Sequence, residues 1–125
     1  MARIIVIDDE PGMRRTTRRA LQRAGHAVAV FANGAAAVAH LEQEPADLLI
    51  TDIFMPEMEG LETIGKVRAL NPKMPIIAMS GVSFEGGDYL RIAEKFGAVA
   101  SLRKPFRLEE LVDVVERLLA EAESG

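Results

Sequence analysis

Four polar signals in this sequence each follow a short apolar run: Asp8-Asp9 after RIIVI, Asp52 after LLIT, Ser80 after IIAM, and Lys104 one arginine beyond AVASL. Such runs read as buried strands. In an open parallel α/β sheet, ligands bind beyond the carboxyl ends of the strands, so residues far apart in sequence converge on one crevice. Three carboxylates, a hydroxyl and an ammonium gathered there suit a divalent cation and a phosphoryl group.

Mutual repulsion among Asp8, Asp9 and Asp52 calls for a cation between them. Magnesium fits the need, because it takes oxygen ligands in octahedral geometry, keeps several waters and uses only one or two carboxylates. A backbone carbonyl just after Asp52 would add a further oxygen. Phe54 is the candidate, since the side chain there is immaterial to such a role. Lys104 supplies positive charge for a phosphoryl oxygen and Ser80 a hydroxyl donor. No residue of the set is an obvious base for activating a substrate hydroxyl. The available nucleophile is a carboxylate, which makes an aspartyl phosphate the natural product.

Each signal taken alone has an ordinary structural reading. Asp8-Asp9 before a helix can serve as cap and dipole complement. Asp52 and Ser80-Gly81 are common turn residues. Lys104 before Pro105 suits a solvated loop, and a proline here can also mark a cis turn. Only their shared position at strand ends separates the chemical reading from these.

The positioning elements alternate along the whole chain. Strands are expected at Arg3 to Ile7, Ala27 to Phe31, Leu48 to Thr51, Ile76 to Met79 and Ala98 to Leu102. The first helix runs from Pro11 to Ala24, with Met13, Thr17, Ala20, Leu21 and Ala24 as its inner stripe and Gly25 as its stop. Asn33 caps an alanine-rich second helix that ends before Pro45. A third carries Leu61, Ile64 and Val67 and stops at Asn71-Pro72. The fourth begins near Gly86-Gly87 and has an apolar stripe of Tyr89, Ile92, Ala93 and Phe96. The last, from about Arg107 to Glu121, is amphipathic through Leu108, Leu111, Val112, Val115, Leu118 and Leu119. Five βα units of this size predict a (βα)5 fold, a doubly wound parallel sheet with helices on both faces.

Composition agrees with one globular domain. The chain has 125 residues, 49% of them hydrophobic, and lacks cysteine, so disulfides, thiolate catalysis and zinc–thiolate sites are excluded. No apolar run is long enough for a membrane span and no signal-peptide pattern opens the sequence. A cytoplasmic protein is expected. Its net charge of −4 disfavours direct nucleic-acid binding. Neither GxxxxGK[ST] nor GxGxxG follows a strand, which sets nucleotide-loop binding aside.

The motifs VIDDE at Val6 to Glu10, TDIFMPEMEG at Thr51 to Gly60, MSG at Met79 to Gly81 and LRKPF at Leu102 to Phe106 resemble those of response-regulator receiver domains of two-component signalling. The resemblance covers essentially the whole chain, dividing it into a receiver over 1–122 and a polar tail over 123–125. It implies a flavodoxin-like five-stranded sheet of order 2-1-3-4-5. It implies that Asp52 is the phosphoacceptor, that Asp9, Asp52 and the Phe54 carbonyl hold Mg2+, and that Asp8 acts mainly through a coordinated water. Ser80 and Lys104 would bind the phosphoryl oxygens. The partners implied are a sensor histidine kinase or histidine phosphotransfer protein and a downstream protein, with no nucleic acid or membrane contact. The chain itself would be a monomer or a weak phosphorylation-dependent dimer.

This reading describes a switch that accepts a phosphoryl group and loses it slowly, not an enzyme with turnover. Two alternatives are a magnesium-dependent phosphohydrolase with an aspartyl-phosphate intermediate and a pseudo-receiver that binds partners regardless of phosphorylation. The first lacks a water-activating group, and the intact Asp9, Asp52 and Lys104 set argues against the second. The basic first helix, with Arg14, Arg15, Arg18, Arg19 and Arg23, serves either solubility or docking to an acidic face of the phosphodonor. His26 and His40 read as surface or packing residues.

Two positions depart from the family pattern. Ser101 stands where a switching aromatic is usual, so coupling through an aromatic rotamer cannot operate. Phe54 and Val82, two residues after Asp52 and Ser80, are apolar and cannot orient an attacking water, so a long-lived phosphoryl group is expected. Phe54→Asn should release phosphate faster than the parent when the decay of phosphorylated protein is followed; an unchanged rate would remove this explanation of the lifetime.

Overall fold

Runs of β-branched and leucine residues build the sheet because a strand covered on both faces has no polar side to present. The structure is a computed structural model that describes residues 2–53, 59–80 and 89–124. Its elements run β1 (Arg3–Ile7), α1 (Pro11–Arg23), β2 (Ala27–Phe31), α2 (Gly34–Gln43), β3 (Leu48–Asp52), α3 (Glu59–Leu70), β4 (Ile76–Ser80), α4 (Tyr89–Phe96), β5 (Ala100–Arg103) and α5 (Leu108–Ser124). All strands are parallel in the order β2-β1-β3-β4-β5, as the resemblance implies.

Alternate residues of each strand feed two cores. Ile5, Ile7, Leu49, Ile76 and Ala78 pack with Ala37 of α2, Ile64 and Val67 of α3, and Ala93 of α4. Ile4, Val6, Leu48, Ile50, Ile77 and Met79 pack on the other face with Leu21 of α1 and Leu111, Val115 and Leu118 of α5. The sheet is therefore doubly wound, with α1 and α5 on one side and α2, α3 and α4 on the other. β3 and β4 are buried along their whole length, which brings their terminal polar residues to the sheet edge already shielded from water.

Several boundaries follow from identifiable local contacts. Asn33 caps α2 by accepting the Ala36 N–H at 2.9 Å. Gly25, at φ +97°, ends α1 as its sequence position predicts. Gly97, at φ +125°, ends α4 in the same way, and the Ala98 N–H turns back to the Ala93 carbonyl at 3.0 Å. That turn takes Ala98 out of the sheet. It is the reason β5 starts at Ala100 and not at Ala98 as expected from the sequence. Arg68 of α3 locks the same corner by donating to the carbonyls of Gly97 at 2.6 Å and Pro72 at 2.8 Å.

Two helical stripes differ from their sequence reading. Among the described side chains of α4 only Ala93 is fully buried, while Ile92 and Phe96 are 38% and 46% exposed, because a helix beside the β4–β5 edge has few neighbours to cover it. Gly86-Gly87, read as the start of that helix, lie outside the described residues, as does the Tyr89 side chain. α5 continues to Ser124, so Glu123 and Ser124 belong to the helix and not to a separate tail.

On α1, Thr17 and Leu21 are buried, Met13 and Ala20 partly so, and Ala24 is exposed. The Thr17 hydroxyl is sealed in the core without a hydrogen-bond partner. A buried unsatisfied hydroxyl is a standing cost. Thr17→Val should therefore raise unfolding free energy by about 1 kcal/mol in urea denaturation; a neutral or destabilising result would show that the hydroxyl finds a partner in solution.

Candidate functional site

Each candidate side chain is delivered by the end of a strand. Asp8 follows β1 and is fully buried; its N–H donates to the Phe31 carbonyl at 3.1 Å, which extends the β1–β2 ladder by one residue. Asp52 closes β3 and is 5% exposed, opposite Met79 in the β3–β4 register. The next amide, Ile53 N–H, bonds the Met79 carbonyl at 2.9 Å and holds that end of β3 in place. Ser80 closes β4 and is also buried. The Lys104 N–H donates to the Ser80 carbonyl at 2.8 Å, so the sheet ladder itself aims Lys104 at the crevice.

The Lys104 ammonium organises the centre. Its Nζ donates to Asp8 Oδ2 and to Asp52 Oδ2, each at 2.9 Å. Asp8 Oδ1 accepts the Glu10 N–H at 3.0 Å, and its carbonyl accepts Arg14 Nη1 at 2.6 Å. Asp9 is exposed at the rim. One carboxylate oxygen from each of Asp8, Asp9 and Asp52 lies within 4.8 Å of the other two. Ligand oxygens around an octahedral ion of this class sit roughly 3–4 Å apart, so a small closing movement would let the trio hold a divalent cation. An all-oxygen set favours a hard cation over a thiophilic metal.

Packing from α3 completes the frame. A side chain on Gly60 would collide with the Ile53 Cα and come within 2.6 Å of the Asp52 carbonyl oxygen. Only glycine lets the first turn of α3 rest on the backbone that carries Asp52. This is the physical content of the glycine that ends the TDIFMPEMEG motif.

The structure thus brings together Asp8, Asp9, Asp52, Ser80 and Lys104 as the sequence suggests. Phe54, read as a carbonyl ligand, and Val82 lie outside the described residues. The Lys104–Pro105 peptide is cis. Ser101 is half-buried on β5 beside Ala78, so no aromatic ring occupies that position. Arg14 belongs to the basic face of α1, yet it also ties that helix to the Asp8 backbone, a contact signalled in the sequence only by its place one turn into the helix after Pro11. Both histidines sit away from this centre. His26 is bound to Glu116 and to the Ala2 N–H at the opposite end of the sheet, and His40 packs against the Phe31 ring.

Burial opposes the charge on Lys104, but hydrogen bonds to Asp8 and Asp52 and their negative charge outweigh it and raise its pKa above the ordinary lysine value. A group whose folded pKa is raised stabilises the fold below its unfolded pKa and loses that contribution as pH climbs through the folded value. Lys104→Met should lower stability at neutral pH by about 2 kcal/mol, below the ~3–5 kcal/mol of a fully buried broken pair because the crevice is partly open. The parent should then lose more stability than the variant above about pH 10.4. Denaturation of both proteins from neutral to alkaline pH tests this, and parallel curves would contradict it.

Comparison with known proteins agrees with this geometry. A family model for the response regulator receiver domain matches residues 4–116. The response regulator receiver protein CpdR of Brucella abortus is 38% identical over 122 residues, covering 98% of this chain and 100% of that protein. The transcriptional regulator NtrC of Azospirillum brasilense is 38% identical over 118 residues, which cover 94% of this chain and only 24% of that protein. Among solved structures, a CheY-like receiver domain protein from Methanospirillum hungatei superposes with a TM-score of 0.91 at 28% identity, covering 99% of this chain and 98% of that one.

Proposed function

This chain belongs to the response regulator receiver domain family and is a phosphoacceptor switch of two-component signalling, and we propose that Asp52 is the residue that takes the phosphoryl group. The observation that carries the assignment is the Lys104 ammonium held between Asp52 and Asp8 at 2.9 Å from each, with Asp9 alongside. A carboxylate oxygen of Asp52 attacks the phosphorus of a phosphohistidine, the P–N bond breaks, and the imidazole departs with its electron pair. Lys104 already faces the reacting carboxylate and offsets the charge that gathers on the phosphoryl oxygens. Mg2+, when bound by Asp9, Asp52 and the Phe54 carbonyl with Asp8 acting through water, supplies further charge neutralisation to the transferring group.

Ser80 is buried at the end of the neighbouring strand and offers its hydroxyl to the phosphoryl group. Drawing that hydroxyl inward shifts the conformation after β4, which is how occupancy of Asp52 reaches a partner. With Ser101 on β5, this shift proceeds without an aromatic follower.

A sensor histidine kinase or histidine phosphotransfer protein upstream, and a separate protein downstream, complete the proposal. We place the chain in the cytoplasm; no helix among the described residues is long and apolar enough to cross a membrane. A phosphohydrolase would need a group beside Asp52 to activate water, and neither Phe54 nor Val82 carries one. The chain is therefore assigned as an acceptor that modifies itself and not as an enzyme with external turnover.

Intact-mass spectrometry after incubation with acetyl phosphate and Mg2+ tests the assignment. The parent should gain one phosphoryl adduct that requires Mg2+, and Asp52→Asn should gain none. An adduct that persists in the variant would move the acceptor elsewhere. A parent that never gains one, with Mg2+ binding intact, would favour a pseudo-receiver or a fast phosphohydrolase.

A further inference from the structure

The most uneven charge on the molecule lies outside the crevice. α1 carries Arg14, Arg15, Arg18, Arg19 and Arg23 with no acidic residue, in a chain whose net charge is −4. α5 carries Glu109, Glu110, Asp113, Glu116, Glu121 and Glu123 against the single Arg117. The two helices pack on the same face of the sheet and touch each other. Yet among the described residues no ion pair joins them. Arg14 is spent on the Asp8 carbonyl, Glu116 bonds His26 of the following turn, and Glu121 pairs with Arg117 on its own helix. Arg15, Arg18, Arg19 and Arg23 enter no ion pair with a described residue.

Helical spacing explains why neighbours do not neutralise each other. Arg15, Arg19 and Arg23 recur every four residues on the exposed side of α1. Glu109, Asp113, Glu116 and Glu123 recur at four, three and seven residues along the exposed side of α5. Both ridges point outward from one layer, so a basic ridge runs beside an acidic one, each open to solvent.

We propose that this layer binds a second copy of the chain, with α1 of each protomer facing α5 of the other. Symmetry and charge together choose the arrangement. Every helix in a parallel βα sheet runs the same way, so α1 and α5 are parallel. A twofold axis lying between two such layers and perpendicular to the helices would stack α1 on α1 and α5 on α5, opposing like charges. An axis along the helices stacks α1 on α5 twice and opposes unlike charges in both contacts. The ridges match in length: Arg15 to Arg23 spans about 12 Å and Glu109 to Glu116 about 10 Å at the helical rise. Exposed ion pairs contribute little singly and are screened beyond about 8 Å at physiological salt, so the dimer is weak and salt-sensitive. The contact needs neither Asp52 nor a bound metal, so it stands or falls apart from the phosphoacceptor assignment.

Sedimentation velocity on the full chain tests the pairing, with circular dichroism confirming that each variant is folded. The parent should rise from 13.6 kDa towards twice that mass as concentration increases at low salt, and return to monomer at high salt. R15E/R19E (net −4 − 4 = −8) and E109K/D113K (net −4 + 4 = 0) should each stay monomeric. The combined variant restores net −4 with the ridges exchanged, and it should regain the dimer. A parent that is monomeric throughout, single-ridge variants that dimerise like the parent, or a folded combined variant that stays monomeric would each overturn the proposal. So would a monomeric parent whose phosphotransfer from a histidine kinase is slowed by R15E/R19E, since that result assigns the arginines to an acidic donor instead.

Discussion

Two buried carboxylates at the edge of one sheet set the terms for everything around them. Asp8 is wholly buried and Asp52 nearly so. Neither charge is tolerable there without compensation, because an ionised carboxylate removed from water needs a cation or several donors. Lys104 supplies one positive charge to both. A single ammonium cannot balance three acidic groups, and the remaining deficit makes the crevice suited to a further cation. Stability and phosphoryl chemistry thus draw on the same imbalance.

Backbone geometry, more than side-chain packing, makes that arrangement reproducible. Asp8 and Lys104 are held by main-chain bonds to the carbonyls of Phe31 and Ser80, and the residue after Asp52 by a bond to Met79. These are continuations of the sheet ladder beyond the strands proper. Gly60 adds the close approach of α3 to the backbone of β3. The crevice is consequently rigid where the carboxylates and lysine sit.

The division of helices between the two faces separates functions as well as cores. α1 and α5 form one outward layer with opposite charges side by side, while Arg14 links that layer to the crevice through the Asp8 carbonyl. α2, α3 and α4 form the other layer, closed at its far corner by the Arg68 contacts to Gly97 and Pro72. Ile92 and Phe96 stay partly open there because the sheet ends at β5.

Much of this was legible in the sequence. An apolar run terminated by Asp, Ser or Lys marks both a doubly covered strand and the point where it meets solvent, so the candidate residues Asp8, Asp52, Ser80 and Lys104 and their common edge could be read directly. Asn33 as a cap and Gly25 as a stop follow from local chemistry alone. The start of β5 was not legible, since it depends on the Gly97 turn claiming Ala98, and the exposure of Ile92 and Phe96 depends on which helix lies at an edge. Nor could spacing reveal that Lys104 bonds both Asp8 and Asp52, that Arg14 reaches the Asp8 carbonyl, or that α1 and α5 lie together with no ion pair between them among the described residues. The sequence by itself determined which residues end each strand, because burial along one element imprints a local pattern. The tertiary structure alone decided which of those residues share a proton donor or a charge, because partnership depends on contacts between segments that no local pattern records.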